Sequence, residues 1–197
     1  MSTIDQAVAT AGTALPDVIT GHIGGESVPV DTSAKHLGVY FPGTGEQIAS
    51  LQEDDARAVA TAVSTARESF KGGAWSRAST AARQTVFRTA AQLIRDHAEE
   101  LAVLECVCAG LPSSHLASRQ VPRAADNLDF FADYIGVMAV ETFEQLPGYQ
   151  TVVTRQPAGV AALFAPWNAP LALASMQIAS SLAFGGRKST RLNSSHQ

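Results

Sequence analysis

An α/β fold with the opening half of a parallel sheet is what these 197 residues predict, from three observations. The run GVAALFA, Gly159 to Ala165, is apolar without alternation, as in a strand covered on both faces of a parallel sheet. Pro166 and Pro170 follow at once, and Leu173, Met176, Ile178 and Leu182 then recur through a helix, so that strand, short loop and helix open a βαβ unit. Ahead of it stand three amphipathic helical patterns, each with an apolar stripe that must pack on something.

In chain order, residues 1–17 have no basic segment followed by an apolar core, so they read as a flexible lead-in of small residues and not as a secretory signal. Residues 18–51 alternate short apolar runs with glycine-centred turns, HIGGES and FPGTGE, the pattern of short strands and hairpins. From Glu53 the period changes. Ala56, Val59, Val63, Ala66 and Phe70 mark a first helix with Asp54 and Asp55 in its first turn. Ser79 or Thr80 can cap a second, longer helix that buries Val86, Phe87, Ala90, Leu93, Ile94, Leu101 and Leu104 and ends at Gly110, Leu111 and Pro112. Pro122 suits the first turn of a third, with Ala125, Leu128, Phe131, Ile135 and Met138 on its stripe. Alternation then returns, with a turn at Pro147 and Gly148 ahead of a strand from Tyr149 to Arg155. The tail RKSTRLNSSHQ, 187–197, carries no apolar run, so no second buried strand is expected there, and it reads as non-native sequence on a fold that is cut off.

Composition excludes several function classes. A net charge of −4 offers no basic field for nucleic acid. The uncharged stretch from Gln156 to Gly186 is broken by Pro166, Asn168 and Pro170, which argues against a membrane span. The only cysteines, Cys106 and Cys108, point in different directions from one helix, which suits a reducing, cytoplasmic setting. With apolar neighbours and no cationic partner in the local sequence, both read as packing groups and not as nucleophiles. His97 and His115 lack nearby cysteine or histidine partners, so no metal site is expected. Arg95, Asp96, Glu99 and Glu100 read as a solvated helix face.

The chemistry concentrates at LFAPWNAPLA, 163–172. In open α/β sheets ligands bind just outside the carboxyl ends of the strands. The two prolines stiffen the loop there, and its remaining polar side chain is Asn168. A fixed carboxamide can donate N–H to a developing oxyanion; it can equally cap the helix that starts at Pro170. On residue type and spacing alone, the cap is the simpler use.

The stretch GVAALFAPWNAPLALASMQIASSLAFGG closely resembles the segment of the aldehyde dehydrogenase superfamily that reads Gly-Val-Val, apolar residues, then Pro-Trp-Asn-x-Pro. HIGGESV, FPGTGEQIASL, AVSTARESF, WSRAST, AAQLIRDHAEELAVLE and RQPAGV follow that family's order, so the resemblance covers Gly21 to Gly186. It implies a truncated aldehyde dehydrogenase fold: 18–186 as an incomplete, Rossmann-like dinucleotide-binding domain that includes part of an oligomerisation arm at about 139–157. The arm would pair across the interface of a homo-oligomer, a dimer or tetramer when full length.

The resemblance further implies NAD(P)-dependent oxidation of an aldehyde to the acid. Asn168 would donate its amide to the oxyanion of the thiohemiacetal formed by a catalytic cysteine; hydride transfer to NAD or NADP then leaves a thioester for hydrolysis. Phe164, Ala165, Pro166 and Trp167 would line the cofactor site. AGLPSSHLASRQVPRAADNLDFFADY resembles dehydrogenases of hydroxymuconic semialdehydes, including the carboxymethyl form, and shares parts with betaine-aldehyde-type members. Where the family places a cofactor-binding lysine in a strand after Gly186, this sequence has RKSTRL, and no role passes to Lys188 or Arg191. The family's nucleophilic cysteine, general-base glutamate and glycine motif lie further along, so the 197 residues alone are expected to be inactive. A non-catalytic oligomerisation or binding module, and an acyl-phosphate reductase on a related fold, remain the alternatives.

Overall fold

The computed structural model describes residues 15–139, 141–153, 156–185 and 187–191. Most of the expected lead-in, and residues 192–197, lie outside them. Strands β1 (Val18–Ile19), β4 (His36–Tyr40) and β5 (Gln47–Gln52) form a small sheet in the order β1-β5-β4. β4 and β5 are the hairpin that FPGTGE predicts, closed by the Phe41 N–H on Glu46 O at 2.8 Å. β2 (His22–Ile23) and β3 (Glu26–Ser27) turn about Gly24 and Gly25, whose φ of 70° and 99° is a conformation that glycine adopts without strain.

Helix α1 (Ala56–Gly72) starts just after the acidic pair expected in its first turn: Asp55 is the cap itself and accepts from Ala58 N at 2.8 Å. Ser79 caps α2 (Thr80–Asp96) through Ala82 N. The long second helix of the sequence reading is in fact two, because His97 leaves helical geometry (φ −104°, ψ 22°) and α3 (Ala98–Ala109) begins after it. No Gly or Pro marks that break, and the apolar period runs through it, so it has no sequence signal. Val86 and Leu93 are exposed, against expectation, at 51% and 53%. They neighbour Phe87 and Ile94, about 100° around a helix, and the core selects the face of Phe87 and Ala91.

Gly110 ends α3 at φ 70°, where a Cβ would stand 3.1 Å from Pro42 Cβ in the first hairpin turn. The backbone region favours glycine, and a Cβ there would also crowd Pro42. Gly110→Ala is expected to destabilise the fold by about 1–3 kcal/mol, read as a lower urea midpoint at unchanged m-value. Beyond it a short turn (Ser113–His115) and a π-helical turn (Leu116–Gln120) lead into α4 (Val121–Val137), with Pro122 in its first turn as predicted.

The main core forms where α2, α4 and α5 (Pro170–Ala183) meet: Phe87, Ala91, Ala125, Leu128, Ala132, Ile135, Ala179 and Ala183. Alanines on all three faces let the helices approach closely. Trp75 packs beside them and donates its indole N–H to Leu182 O at 3.0 Å. Arg95 is more than part of a solvated face, for it bridges α2 to Asp126 (3.1 Å) and Asp129 (2.6 Å) of α4. The hydrogen bond that Arg95 donates to Asp129 leads the causes that raise the Arg95 pKa.

β6 (Glu141–Leu146) and β7 (Tyr149–Val153) form a hairpin around Gly148 with nearly every side chain exposed, Phe143 and Tyr149 included. Thr154 and Arg155, expected to continue that strand, lie outside the described residues. β8 (Val160–Phe164) pairs in parallel with β9 (Arg187–Arg191), Val160 opposite Arg187 and Phe164 opposite Arg191. The sequence, without an apolar run, predicts no second buried strand there, yet residues 187–191 pair as a strand: a ladder is made by backbone N–H and C=O groups, which polar residues supply as readily as apolar ones. Nor is β8 covered on both faces. It is half-buried, with Phe164 61% exposed, since β9 is its only strand neighbour among the described residues.

Candidate functional site

The loop from Ala165 to Ala169 joins β8 to α5 and is held at both ends. At the strand end Gln177, in the second turn of α5, donates its side-chain N–H to Phe164 O at 2.9 Å. At the helix end Pro170 occupies the first turn with its φ restricted by the ring. Asn127 of α4 donates to Ala172 O (2.8 Å) and to Ser175 Oγ (3.1 Å), and Ser175 Oγ donates to Ala172 O in turn. Ala169 precedes Pro170 as the capping residue, is 8% exposed, and has no side chain with which to cap.

Asn168 therefore does not cap α5: the capping residue is Ala169, and the Asn168 side chain makes no hydrogen bond to the helix start. It is exposed between the two prolines. Phe164 and Trp167 are exposed beside it, at 61% and 58%, Pro166 is exposed and Ala165 half-buried. The residues singled out in the sequence thus share one short loop outside the carboxyl end of a parallel strand, where open α/β sheets bind ligands. Phe164 and Trp167 thus place two exposed aromatic side chains on this loop. The helix start does not fit a pyrophosphate, since Pro170 has no N–H and the Leu171 N–H is already taken.

What takes it is Glu105, which the sequence reading passed over. From α3, 66 residues away along the chain, Glu105 Oε1 accepts the Leu171 N–H at 3.0 Å. The side chain is only 6% exposed, and Oε2 has no hydrogen-bond partner. Its one sequence signal is a carboxylate inside the apolar run LAVLECVCA. Burial pushes its pKa above the ordinary 4.5, against the lowering effect of the Leu171 N–H. A raised folded pKa means the native state holds this proton to higher pH than the unfolded chain does, so this group's contribution to stability falls as pH rises from about 4.5 through the raised value. Glu105→Gln is expected to remove that decline, checked by urea denaturation from acid to neutral pH; Cys108 is the other titrating group that interacts with it.

Cys108 is exposed at the rim of α3, yet burial of its sulfur, and then the Glu105 charge, push its thiol pKa up, away from the thiolate a nucleophile needs. Cys106 is half-buried and unpaired. Among the described residues no group of His, Cys, Asp and Glu could hold a metal ion, and no helix is long and apolar enough to cross a membrane. A cleft of about 990 Å³, lined by Arg83, Tyr134, Met138 and Phe184 among others, lies against the far end of α5 from Asn168.

Residues 30–187 match the model of the aldehyde dehydrogenase family. The betaine aldehyde dehydrogenase of Vibrio vulnificus (strain YJ016) is 34% identical over 170 residues, which are 86% of this chain and 34% of that protein. The 5-carboxymethyl-2-hydroxymuconate semialdehyde dehydrogenase of Escherichia coli is 33% identical over 147 residues, 73% of this chain and 30% of that one. The solved structure of a P. syringae indole-3-acetaldehyde dehydrogenase mutant in complex with NAD+ and IAA superposes with a TM-score of 0.85 at 30% identity, covering 93% of this chain and 37% of the other. The chain spans about a third of the length of the curated relatives it matches.

Proposed function

The chain belongs to the aldehyde dehydrogenase family, and on that premise we propose that it supplies the oxyanion donor and part of the cofactor surface of an NAD- or NADP-dependent aldehyde dehydrogenase. One observation carries the proposal: Asn168 is exposed and free of any capping duty, on a loop anchored at both ends. When a thiolate adds to an aldehyde, the carbonyl oxygen gains negative charge. A carboxamide N–H already held in place stabilises that charge without reorganising. Phe164, Ala165, Pro166 and Trp167 hold the nicotinamide cofactor, which supplies the hydride acceptor. Residues 18–186 are part of the dinucleotide-binding domain, and the exposed β6–β7 hairpin pairs across an interface with a second copy of the protein.

For substrate we propose a semialdehyde of aromatic catabolism. The segment from Ala109 to Tyr134 supports it, as does the likeness to the E. coli semialdehyde dehydrogenase. Betaine aldehyde is the natural competitor, given the Vibrio relative. The test is NADH or NADPH formation by the complete protein carrying this segment, with a hydroxymuconic semialdehyde, betaine aldehyde and simple aldehydes in parallel. Turnover with none of them overturns the activity; preference for betaine aldehyde overturns the substrate.

The 197 residues alone are expected to form no NADH, since burial holds the Cys108 thiol back from the thiolate a nucleophile needs and Cys106 is a half-buried group of the same helix. Measurable turnover by the purified chain would contradict this.

A further inference from the structure

The start of α5 lacks the ordinary means of capping. Its capping residue is alanine, and its first helical residue is a proline without an N–H. The acceptor for the next N–H comes from another helix, as Glu105 Oε1 on Leu171 N. The Leu171 side chain packs into the same neighbourhood, against the cluster of Ala102, Leu116 and Val121. Backbone and side chain of Leu171 are thus both clamped to the region around α3.

Leu171 lies three residues beyond Asn168. Of the residues between, Pro170 has its φ locked by the ring and Ala169 is buried, so little slack separates the clamp from the carboxamide. A carboxyl group buried with one oxygen unpartnered is costly, and an apolar side chain would pack there without that penalty. The bond at the root of the site loop accounts for a carboxyl at this place.

We infer that Glu105 is a positioning residue, whose reach from α3 to the Leu171 N–H sets where Asn168 presents its amide; the inference rests on Asn168 being the oxyanion donor. Reach, not charge, is what it contributes. Glutamine keeps the acceptor oxygen at the same distance along the side chain, aspartate withdraws it by one methylene, and leucine removes it.

The experiment compares Glu105→Gln, Glu105→Asp and Glu105→Leu in the complete dehydrogenase, measuring kcat, aldehyde KM and amide exchange at Leu171, with Asn168→Ala alongside. In Glu105→Asp and Glu105→Leu, kcat is expected to fall roughly 10- to 100-fold, the scale of a misplaced catalytic group. Aldehyde KM should change much less, and the Leu171 amide should exchange faster. Glu105→Gln should keep kcat close to wild type and the amide protected. If Glu105→Leu does not fold, the Asp and Gln variants decide between them. Wild-type kcat in Glu105→Asp, or a loss in Glu105→Gln as large as in Glu105→Asp, overturns the inference. Should Asn168→Ala leave kcat unchanged, the donor assignment fails and this inference with it. Should Asn168→Ala be impaired while Leu171 stays equally protected in Glu105→Asp, the inference alone fails.

Discussion

Asn168→Ala in the complete enzyme is expected to lower kcat for aldehyde oxidation by about 10²- to 10³-fold, the effect of removing one oxyanion donor. The fold should not register the change. Asn168 is exposed and does not cap α5, so its truncation removes neither packing nor a cap bond. If it did cap the helix, as residue type alone suggests, alanine would cost about 1 kcal/mol of stability with only an indirect effect on rate. A thermal melt beside the kinetics therefore separates the two roles. Asn168→Asp sharpens the contrast: it keeps size and shape but replaces the donor with a negative acceptor facing the developing oxyanion, and should be at least as impaired. Activity within about threefold of wild type in Asn168→Ala, well below the donor scale, would remove the proposed role.

Phe87→Ala is expected to cost about 3–5 kcal/mol, the usual range for deleting a buried aromatic ring. Phe87 is 2% exposed, lies in the cluster that joins α2, α4 and α5, and has its ring 6.0 Å from that of Trp75. Trp75 fluorescence during urea unfolding would report the loss. Val86→Ala is the matched control. It deletes an apolar side chain one position away, but one that is 51% exposed, and should change stability by only about ±0.5 kcal/mol. Equal costs at the two positions would contradict the assigned core face.

The α5 start and the α2 stripe show how much of this protein was legible in advance. Proline at 170, the apolar run before it and the helical period after it locate β8, the loop and α5 by local rules alone. Ser79 and Pro122 announce their helix starts in the same way. Other features are invisible to local rules. The break at His97 interrupts an unbroken period, and the choice between Val86 and Phe87 depends on which neighbours a helix meets. A parallel partner for β8 with the sequence RKSTR has no apolar signature, because its pairing uses only backbone groups.

At the site the division is the same. The amino-acid order by itself determined that a carboxamide stands between two prolines at the end of a buried-type strand, and family likeness attached a chemistry to it. Tertiary structure decided that this carboxamide is free. Glu105 of α3 takes the Leu171 N–H at the helix start, and no local pattern shows that, because the bond depends on how α3 and α5 pack together.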